Sequence, residues 1–109
     1  MKYKYLEHTA DAKFQAFGSG IDEVFTNSAL AMFNILGKTS EVKIKKTYKI
    51  KLKARNYERL LLDFLEELLF LLDTEDFFLH EVIKIKISKK FELEAVVVGD
   101  DYKNYDLKR

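Results

Sequence analysis

The alternation in residues 42–54 limits the possible folds more than any other feature of the sequence. The even positions carry apolar side chains apart from Lys46, and the odd positions carry five lysines and one threonine. Because successive side chains of a β-strand point to opposite faces, one face of this strand is apolar and the other is strongly positive. The segment therefore predicts a sheet that is covered on one face and open to solvent on the other.

Two segments have the spacing of helices with a buried side. Ile21–Leu36 repeats apolar residues at intervals of three and four, and Gly37 follows it as a stop signal. Residues 57–72 form the second predicted helix, with Asn56 as its N-terminal cap. Leucine and phenylalanine cover most of the circumference of this second helix. We therefore expect it to be the most buried element of the protein.

Short apolar or alternating segments predict four further strands, at residues 2–6, 12–17, 77–88 and 91–98. Lys89-Lys90 is the predicted turn of a hairpin, and residues 99–101 are expected to begin a loop. The resulting order, β-β-α-β-α-β-β, lacks the regular alternation of a parallel doubly wound sheet. We predict a single α+β domain over residues 1–109, with a mixed, mostly antiparallel sheet and two helices packed on one face.

Composition excludes several classes of site. The chain has no cysteine, so disulfide scaffolds, zinc–thiolate sites and cysteine nucleophiles are excluded. The net charge of +1 indicates no strong global attraction to nucleic acid or to a membrane surface. No signal peptide is visible, and no apolar stretch is long enough to cross a bilayer, so we expect a cytoplasmic protein.

The most suggestive polar residues are His8, Thr9 and Asp11, which follow the first predicted strand. A histidine and an aspartate three residues apart in a turn can point into one small volume, as a metal site or as an acid–base pair. Alternatively, Thr9 and Asp11 hydrogen-bond the turn backbone and His8 lies on the surface. The spacing alone leaves both interpretations open.

Two acidic groups are weaker candidates for cation binding, because acidic residues at such positions are typical of solvated surfaces. These groups are Asp63, Glu66 and Glu67 in the second helix, and Asp73, Glu75 and Asp76 with His80 after it. No phosphate-binding glycine loop, nucleophile elbow or catalytic triad is visible in the sequence. The residues therefore do not predict an enzyme.

The lysine row of residues 42–54 is the remaining candidate, with Lys45, Lys49 and Lys51 as the residues that could contact RNA or a partner protein. Positive charges along an extended strand can follow a phosphate backbone. The row lacks the interleaved aromatic residues that would stack on bases. That lack favours a solvated sheet face over a dedicated RNA site.

Three blocks of the sequence together resemble the archease family. Residues 7–11 read Glu-His-Thr-Ala-Asp, like the signature of that family. Residues 29–33 resemble its Ala-Leu-Ala-(Met/Leu)-Phe run, and residues 60–69 are similar to its Leu-Leu-x-(Asp/Glu)-Trp-Leu-x-Glu-Leu-Leu block. The blocks follow the order and spacing of the family, and the resemblance covers about residues 3–100.

The resemblance implies a function that the residues alone do not indicate. Archeases are non-catalytic cofactors of the RtcB-type RNA ligase in tRNA splicing, where they promote guanylylation and multiple turnover of the ligase. They bind a divalent metal, often calcium, through the aspartate of the signature and through C-terminal residues. Carried over to this chain, the resemblance makes Asp11 a metal ligand, with His8 and Thr9 supporting its loop. Carboxylate oxygens suit such a cation.

The resemblance also implies a departure at the C-terminus. Family members continue with two further strands, the last of which ends in the second metal-binding acid, whereas this chain ends at Arg109. We therefore expect the domain to lack the C-terminal strands, and the calcium site to lack those ligands. The alternative function is a chaperone-like module that binds RNA or protein through the basic sheet face.

Overall fold

The computed structural model of the chain describes residues 20–105. Within this range lie two α-helices, three β-strands and two short 3-10 helices. In chain order these elements are α1 (Ile21–Leu36), a 3-10 helix (Thr39–Glu41), β1 (Lys46–Lys53), α2 (Tyr57–Glu75), β2 (Phe77–Ile87), β3 (Glu92–Asp101) and a 3-10 helix (Tyr102–Asn104). The strands predicted at residues 2–6 and 12–17 lie outside the described residues.

The three strands form one antiparallel sheet in the order β1-β3-β2. The central strand β3 pairs with β1 from Glu92 to Gly99, and with β2 from Leu93 to Asp101. Two register shifts interrupt the pairing of β2. The structure confirms the predicted α+β class, with an antiparallel sheet and two helices packed against it.

One hydrophobic cluster joins both helices to the sheet. Phe25 of α1 stacks on Phe64 of α2 with ring centroids 6.2 Å apart, and Phe33 meets Phe78 of β2 edge-on at 5.1 Å. In β1, Ile50 is buried in this cluster, whereas Lys49, Lys51 and Lys53 are exposed. The alternation in the sequence thus separates a covered face from a solvated one, as predicted.

The predicted strand over residues 42–54 is longer than the strand that forms. β1 begins only at Lys46, and before it the Lys43 amide donates its hydrogen bond to the hydroxyl of Tyr105 (2.9 Å) in place of a neighbouring strand. The opposite error occurs in β3, where the loop predicted at residues 99–101 is part of the strand. Asp101 pairs there with Phe77 of β2.

The helix α1 has the predicted bounds, and Gly37 caps its C-terminus by donating its amide to the Phe33 carbonyl. The predicted cap of α2 is also confirmed, since Asn56 Oδ1 accepts the Arg59 amide at 2.7 Å. However, α2 runs on to Glu75, and Asp76 ends it in the left-handed region at φ 56°.

The expectation that α2 is the most buried element is wrong. One side of the helix packs into the core, but Leu62, Leu69 and Phe70 are exposed. The start of β2 is more completely buried, since Phe77, Phe78 and Leu79 all lie in the core. A helix that is apolar around most of its circumference can still be covered on one side only, because periodicity shows polarity and not the number of packing partners.

The hairpin between β2 and β3 is longer than the two-residue turn predicted at Lys89-Lys90. It spans residues 88–91, and Phe91 ends the turn at φ 60°, a region that strongly favours glycine. The Phe91 ring packs edge-on against Tyr57 of α2, with centroids 4.8 Å apart. This contact offsets the backbone strain and links the hairpin to the first turn of α2.

Gly99 of β3 lies tightly against the backbone of β2. A Cβ atom at this position would be 1.9 Å from the Phe78 carbonyl oxygen and 2.9 Å from the Phe77 ring. Both neighbours are buried, and the carbonyl belongs to the backbone, so the sheet itself would have to move. The absence of a side chain at Gly99 therefore allows β3 to continue to Asp100.

We predict that Gly99→Ala destabilises the protein by about 1–3 kcal/mol, or more if the strands separate, because it overpacks a closed part of the sheet. The measurement is the free energy of unfolding in urea. Gly20→Ser is the control, because nothing lies within 4 Å of a Cβ at Gly20 and serine is a preferred N-cap residue. Equal stability of Gly99→Ala and the wild type would contradict the close approach of β2 and β3.

Candidate functional site

The residues predicted to form a metal site, His8, Thr9 and Asp11, lie outside the described residues. Within residues 20–105, no three histidine, aspartate or glutamate side chains come close enough together to hold a metal ion. Of the acidic candidates, Asp63 forms an ion pair with Arg59 (3.0 Å). The described part of the chain therefore offers no metal site of its own.

The acidic connector predicted after the second helix does not form a cluster with His80. Asp73 and Glu75 belong to the last turn of α2, and Asp76 forms an ion pair with Lys103 at 3.1 Å. His80 lies on β2 with its Nδ1 atom 2.9 Å from the Thr39 carbonyl oxygen. A carbonyl oxygen can only accept, so the His80 Nδ1 atom carries the proton in this bond.

Around His80, a polar network connects the end of α1 to β2. The Asn34 side chain donates to the Leu30 carbonyl (2.8 Å) and accepts the Thr39 amide (3.0 Å). These residues and His80 line a cleft of about 390 Å³ beside Glu81. Since its polar groups are largely paired with one another, the network fixes the packing of α1 on β2 and exposes little reactive chemistry.

The exposed side of the sheet is more basic than the lysine row alone indicated. Lys49, Lys51 and Lys53 project from β1, and β2 adds Lys84 and Lys86 on the same side. We call these five exposed residues the lysine face. The contribution of β2 could have been found from the alternation of isoleucine and lysine in residues 83–87, but only the sheet order shows that the two rows face the same way.

The central strand places acidic and apolar side chains between the two lysine rows. Glu94 lies opposite Lys51 on one side and opposite Lys86 on the other, with a Lys51–Glu94 ion pair of 3.8 Å. Val96 lies in the same way between Lys49 and Lys84. Adjacent strands are about 4.8 Å apart, so the two rows are separated by about 10 Å. This face can attract anions, although its glutamates neutralise part of the charge.

Lys45 lies apart from the other two residues of the predicted row. Its amide donates to the Gly99 carbonyl (2.8 Å), which extends the pairing of β1 by one residue towards Asp100. The Lys45 ammonium group is close enough to Asp100 to favour the ionised carboxylate. Thus Lys49 and Lys51 share an open surface, whereas Lys45 accompanies a buried acid.

Asp100 is the most deeply buried acidic residue of the described chain, with 3% of its surface exposed. It accepts hydrogen bonds from the Tyr105 hydroxyl (2.8 Å), the Asp101 amide (2.7 Å) and the Asn104 side chain (3.3 Å). Burial raises the pKa of this carboxyl, but these three donors and the charge of Lys45 together lower the pKa by more than burial raises it, so the net pKa lies below its ordinary value. The carboxylate is therefore held in its ionised form.

Tyr105 completes this cluster by linking two parts of the chain. Its hydroxyl accepts the Lys43 amide (2.9 Å) while donating to Asp100. Burial raises the pKa of Tyr105, the Lys43 amide opposes this effect, and the hydrogen bond to Asp100 and the charge of Asp100 raise the pKa further. The cluster therefore ties the segment after β3 to the segment before β1, and its hydrogen-bonding groups are engaged internally.

The sequence and the fold are both similar to those of known proteins. The sequence profile of the archease protein family matches residues 3–108. The chain is 39% identical over 104 residues to the protein archease of Methanosarcina mazei, a match that covers 93% of this chain and 71% of that protein. It is also 35% identical over 106 residues to the protein archease-like of Drosophila melanogaster, covering 94% of this chain and 67% of that protein.

A solved structure is also similar. The fold matches the solution structure of a Methanobacterium thermoautotrophicum protein with a TM-score of 0.66 and 33% sequence identity. The match covers 84% of this chain and 67% of that chain. In the described residues, neither helix is long and apolar enough to cross a membrane.

We predict that the buried carboxylate stabilises the fold in a pH-dependent manner. Because the folded-state pKa of Asp100 is lowered, its stabilisation is fully present above the ordinary pKa of 3.8 and is lost as pH falls through the folded-state value. At neutral pH, Asp100→Asn should therefore be less stable than the wild type by about 1–3 kcal/mol. The measurement is urea unfolding of both proteins from neutral pH down to below 3.8, and the gap should narrow with acidification.

A second variant, Tyr105→Phe, removes the hydroxyl that donates a hydrogen bond to the Asp100 carboxylate. It retains Asp100 but removes one hydrogen bond that lowers the pKa, so the loss of stability in acid should begin at a higher pH than in the wild type. A gap between the wild type and Asp100→Asn that stays constant at all pH values would show that the carboxylate is not held in its charged form.

Proposed function

The chain belongs to the archease family, and from this membership we propose that it is a non-catalytic protein cofactor of an RtcB-type RNA ligase in tRNA splicing. In this role it promotes guanylylation of the ligase and permits multiple turnover, with tRNA as an indirect partner and the cytoplasm as the location. The observation that carries the proposal is the family match over residues 3–108, which includes the His-Thr-Ala-Asp block at residues 8–11.

The polar clusters of the described residues support a role through contact. The Asp100 carboxylate is enclosed by Tyr105 and Asn104, and the His80 ring is bonded to Thr39. A catalytic acid, base or nucleophile needs an approach for its substrate and a matched partner group. Within residues 20–105, the enclosed Asp100 carboxylate is used for packing, whereas the open surfaces carry charge and apolar area.

We also propose that Asp11 is the ligand of a divalent metal, with His8 and Thr9 supporting its loop. Calcium suits the site because hard cations prefer carboxylate oxygens. Residues 20–105 contain no group of three potential metal ligands by themselves.

We predict that the chain stimulates its cognate ligase and that Asp11→Ala loses roughly tenfold or more of this stimulation, because a metal ligand is removed. The measurement is multiple-turnover RNA ligation and ligase guanylylation with no addition, with the wild type and with the variant. Asp22→Ala, which changes an exposed aspartate in the first turn of α1, is the matched control and should stimulate normally.

Two outcomes of this experiment separate the parts of the proposal. If the folded wild type does not stimulate the ligase, the cofactor role is wrong. If Asp11→Ala stimulates as well as the wild type, the metal role of Asp11 is wrong while the cofactor role stands. Unfolding curves of all three proteins establish that the variants are folded.

The lysine face supports a second candidate function, an RNA- or protein-binding module. Two lysine rows on one open side of the sheet could bind a phosphate backbone without reading its sequence. In this case binding depends on the lysine face and is independent of Asp11. Lys45 is unsuitable for a test, because a glutamate there would lie beside the buried carboxylate of Asp100.

We predict for this second candidate that changing Lys49, Lys51 and Lys84 together to glutamate abolishes RNA binding, whereas Asp11→Ala has no effect. In the wild type, binding should weaken with salt, with a log–log slope of about −2 if these three lysines each neutralise one phosphate of a single strand. The measurement is fluorescence anisotropy of a labelled single-stranded RNA over a salt series. Binding that does not depend on salt would exclude the lysine face as a phosphate-binding surface.

A further inference from the structure

The outer side of α2 carries an apolar patch that the fold leaves uncovered. Leu62, Leu69 and Phe70 expose 50%, 39% and 57% of their surfaces. Residues seven and eight positions apart lie on the same side of a helix, so these three side chains lie along one stripe, with Glu66 between Leu62 and the other two. Single exposed leucines are common, but several large apolar residues exposed along one side of a helix are typical of an interaction surface.

Acidic residues surround this patch. The sequence of Tyr57–Glu75 contains six acidic residues and one basic residue, Arg59, which is engaged with Asp63 at 3.0 Å. The last turn has no basic residue, although a helix C-terminus favours positive charge. There, Lys46 of β1 donates to the Glu75 carbonyl at 2.9 Å and satisfies the backbone. The excess of negative charge on α2 is therefore not explained by stabilisation of the helix.

The patch and the lysine face lie on opposite sides of the fold. α2 packs its buried side, including Phe64 and Leu68, into the cluster that covers the sheet, so its outer side points away from the sheet. The lysine face lies on the uncovered side of the same sheet. A partner that binds one of these surfaces leaves the other accessible.

From this arrangement we infer that the outer side of α2, defined by Leu62, Glu66, Leu69 and Phe70, docks a basic amphipathic helix of a partner protein. The apolar side of such a helix would cover the exposed leucines and phenylalanine, as in helix-in-groove recognition. Lysine or arginine residues at its edges would pair with the glutamates, which favours the correct partner and speeds association. The surface includes neither Asp11 nor the lysine face, so the inference goes beyond both proposed functions.

A second copy of this chain fits the patch less well. The lysine face of another copy offers complementary charge, but Glu92 and Glu94 lie within it. These carboxylates would meet the acidic residues of α2. A partner that combines positive charge with an apolar stripe satisfies both features of the patch.

The test uses the full chain and a fluorescent synthetic peptide of leucine and lysine, with leucine at helical positions i, i+3, i+4 and i+7. A peptide of the same pattern with glutamate in place of lysine is the charge control. Anisotropy measures affinity, and amide shifts in NMR spectra locate the peptide. The wild type should bind the basic peptide, with shifts in α2, and should bind the acidic peptide at least roughly tenfold more weakly, since like charges meet.

Two pairs of variants test the patch itself. The double variant Leu62→Gln and Phe70→Gln should bind the basic peptide roughly tenfold or more weakly, because buried apolar anchors carry most of the binding energy of an interface. Ile35→Gln, at a 65% exposed position of α1, is the apolar control and should bind normally. Glu66→Lys should also weaken binding, whereas Glu92→Lys on the opposite side of the sheet should not. Glutamine is a good helix former, so unfolding should be unchanged.

Several results would overturn the inference. They are equal binding of the basic and acidic peptides, undiminished binding by the Leu62→Gln and Phe70→Gln variant, and amide shifts in residues 1–19 in place of α2. Sedimentation of the free chain covers the remaining alternative. If the wild type forms dimers that the double variant does not form, the occupant of the patch is a second copy and not a basic partner helix.

Discussion

The pairing of β3 with both neighbouring strands is the interaction on which the rest of the described structure depends. Because β3 lies between β1 and β2, it fixes which of their side chains share a face. The same register brings Lys51 and Lys86 to either side of Glu94 and places Asp100 beside Lys45 and the pre-β1 segment. Gly99 permits this arrangement, since any side chain there would meet the backbone of β2. The surface charges and the buried carboxylate thus both follow from the position of one strand.

The fold gives the two kinds of charge separate surfaces. Residues 43–55 carry only basic charges and Tyr57–Glu75 carries mostly acidic ones, yet the whole chain has a net charge of only +1. In the structure, the strand residues place five lysines on the open side of the sheet, while the helix Tyr57–Glu75 gathers six acidic residues on the other side of the fold. A nearly neutral protein can therefore present two surfaces of opposite sign, because a basic strand and an acidic helix contribute to opposite sides of the fold. Net charge alone would have hidden both surfaces.

The sequence predicted correctly the structural features that nearby residues determine, and it missed those that depend on distant partners. The bounds of Ile21–Leu36, the Asn56 cap and the alternation around Ile50 were predictable, because spacing and capping act within a few residues. The start of β1 and the end of β3 depend on Tyr105 and Gly99, which meet distant partners, so local pattern could not show them. The residues of the candidate site were likewise predictable only in part. Lys49 and Lys51 followed from alternation, whereas their alignment with Lys84 and Lys86 and the burial of Asp100 required the sheet order.

A cofactor protein of the kind proposed must act on another protein's chemistry, and the described residues are organised for contact. Their buried polar groups bond to one another. Asp100 accepts hydrogen bonds from Tyr105 and Asn104, and Thr39 is hydrogen-bonded to Asn34 and His80. What remains available to a partner is the lysine face on one side and the acidic, apolar side of α2 on the other. Rigid internal networks are an advantage here, since surfaces that keep their shape before binding lose less entropy on association. These hydrogen bonds join α1 to β2, and the segment after β3 to the segment before β1, so they hold in place the elements around the sheet that carries the lysine face.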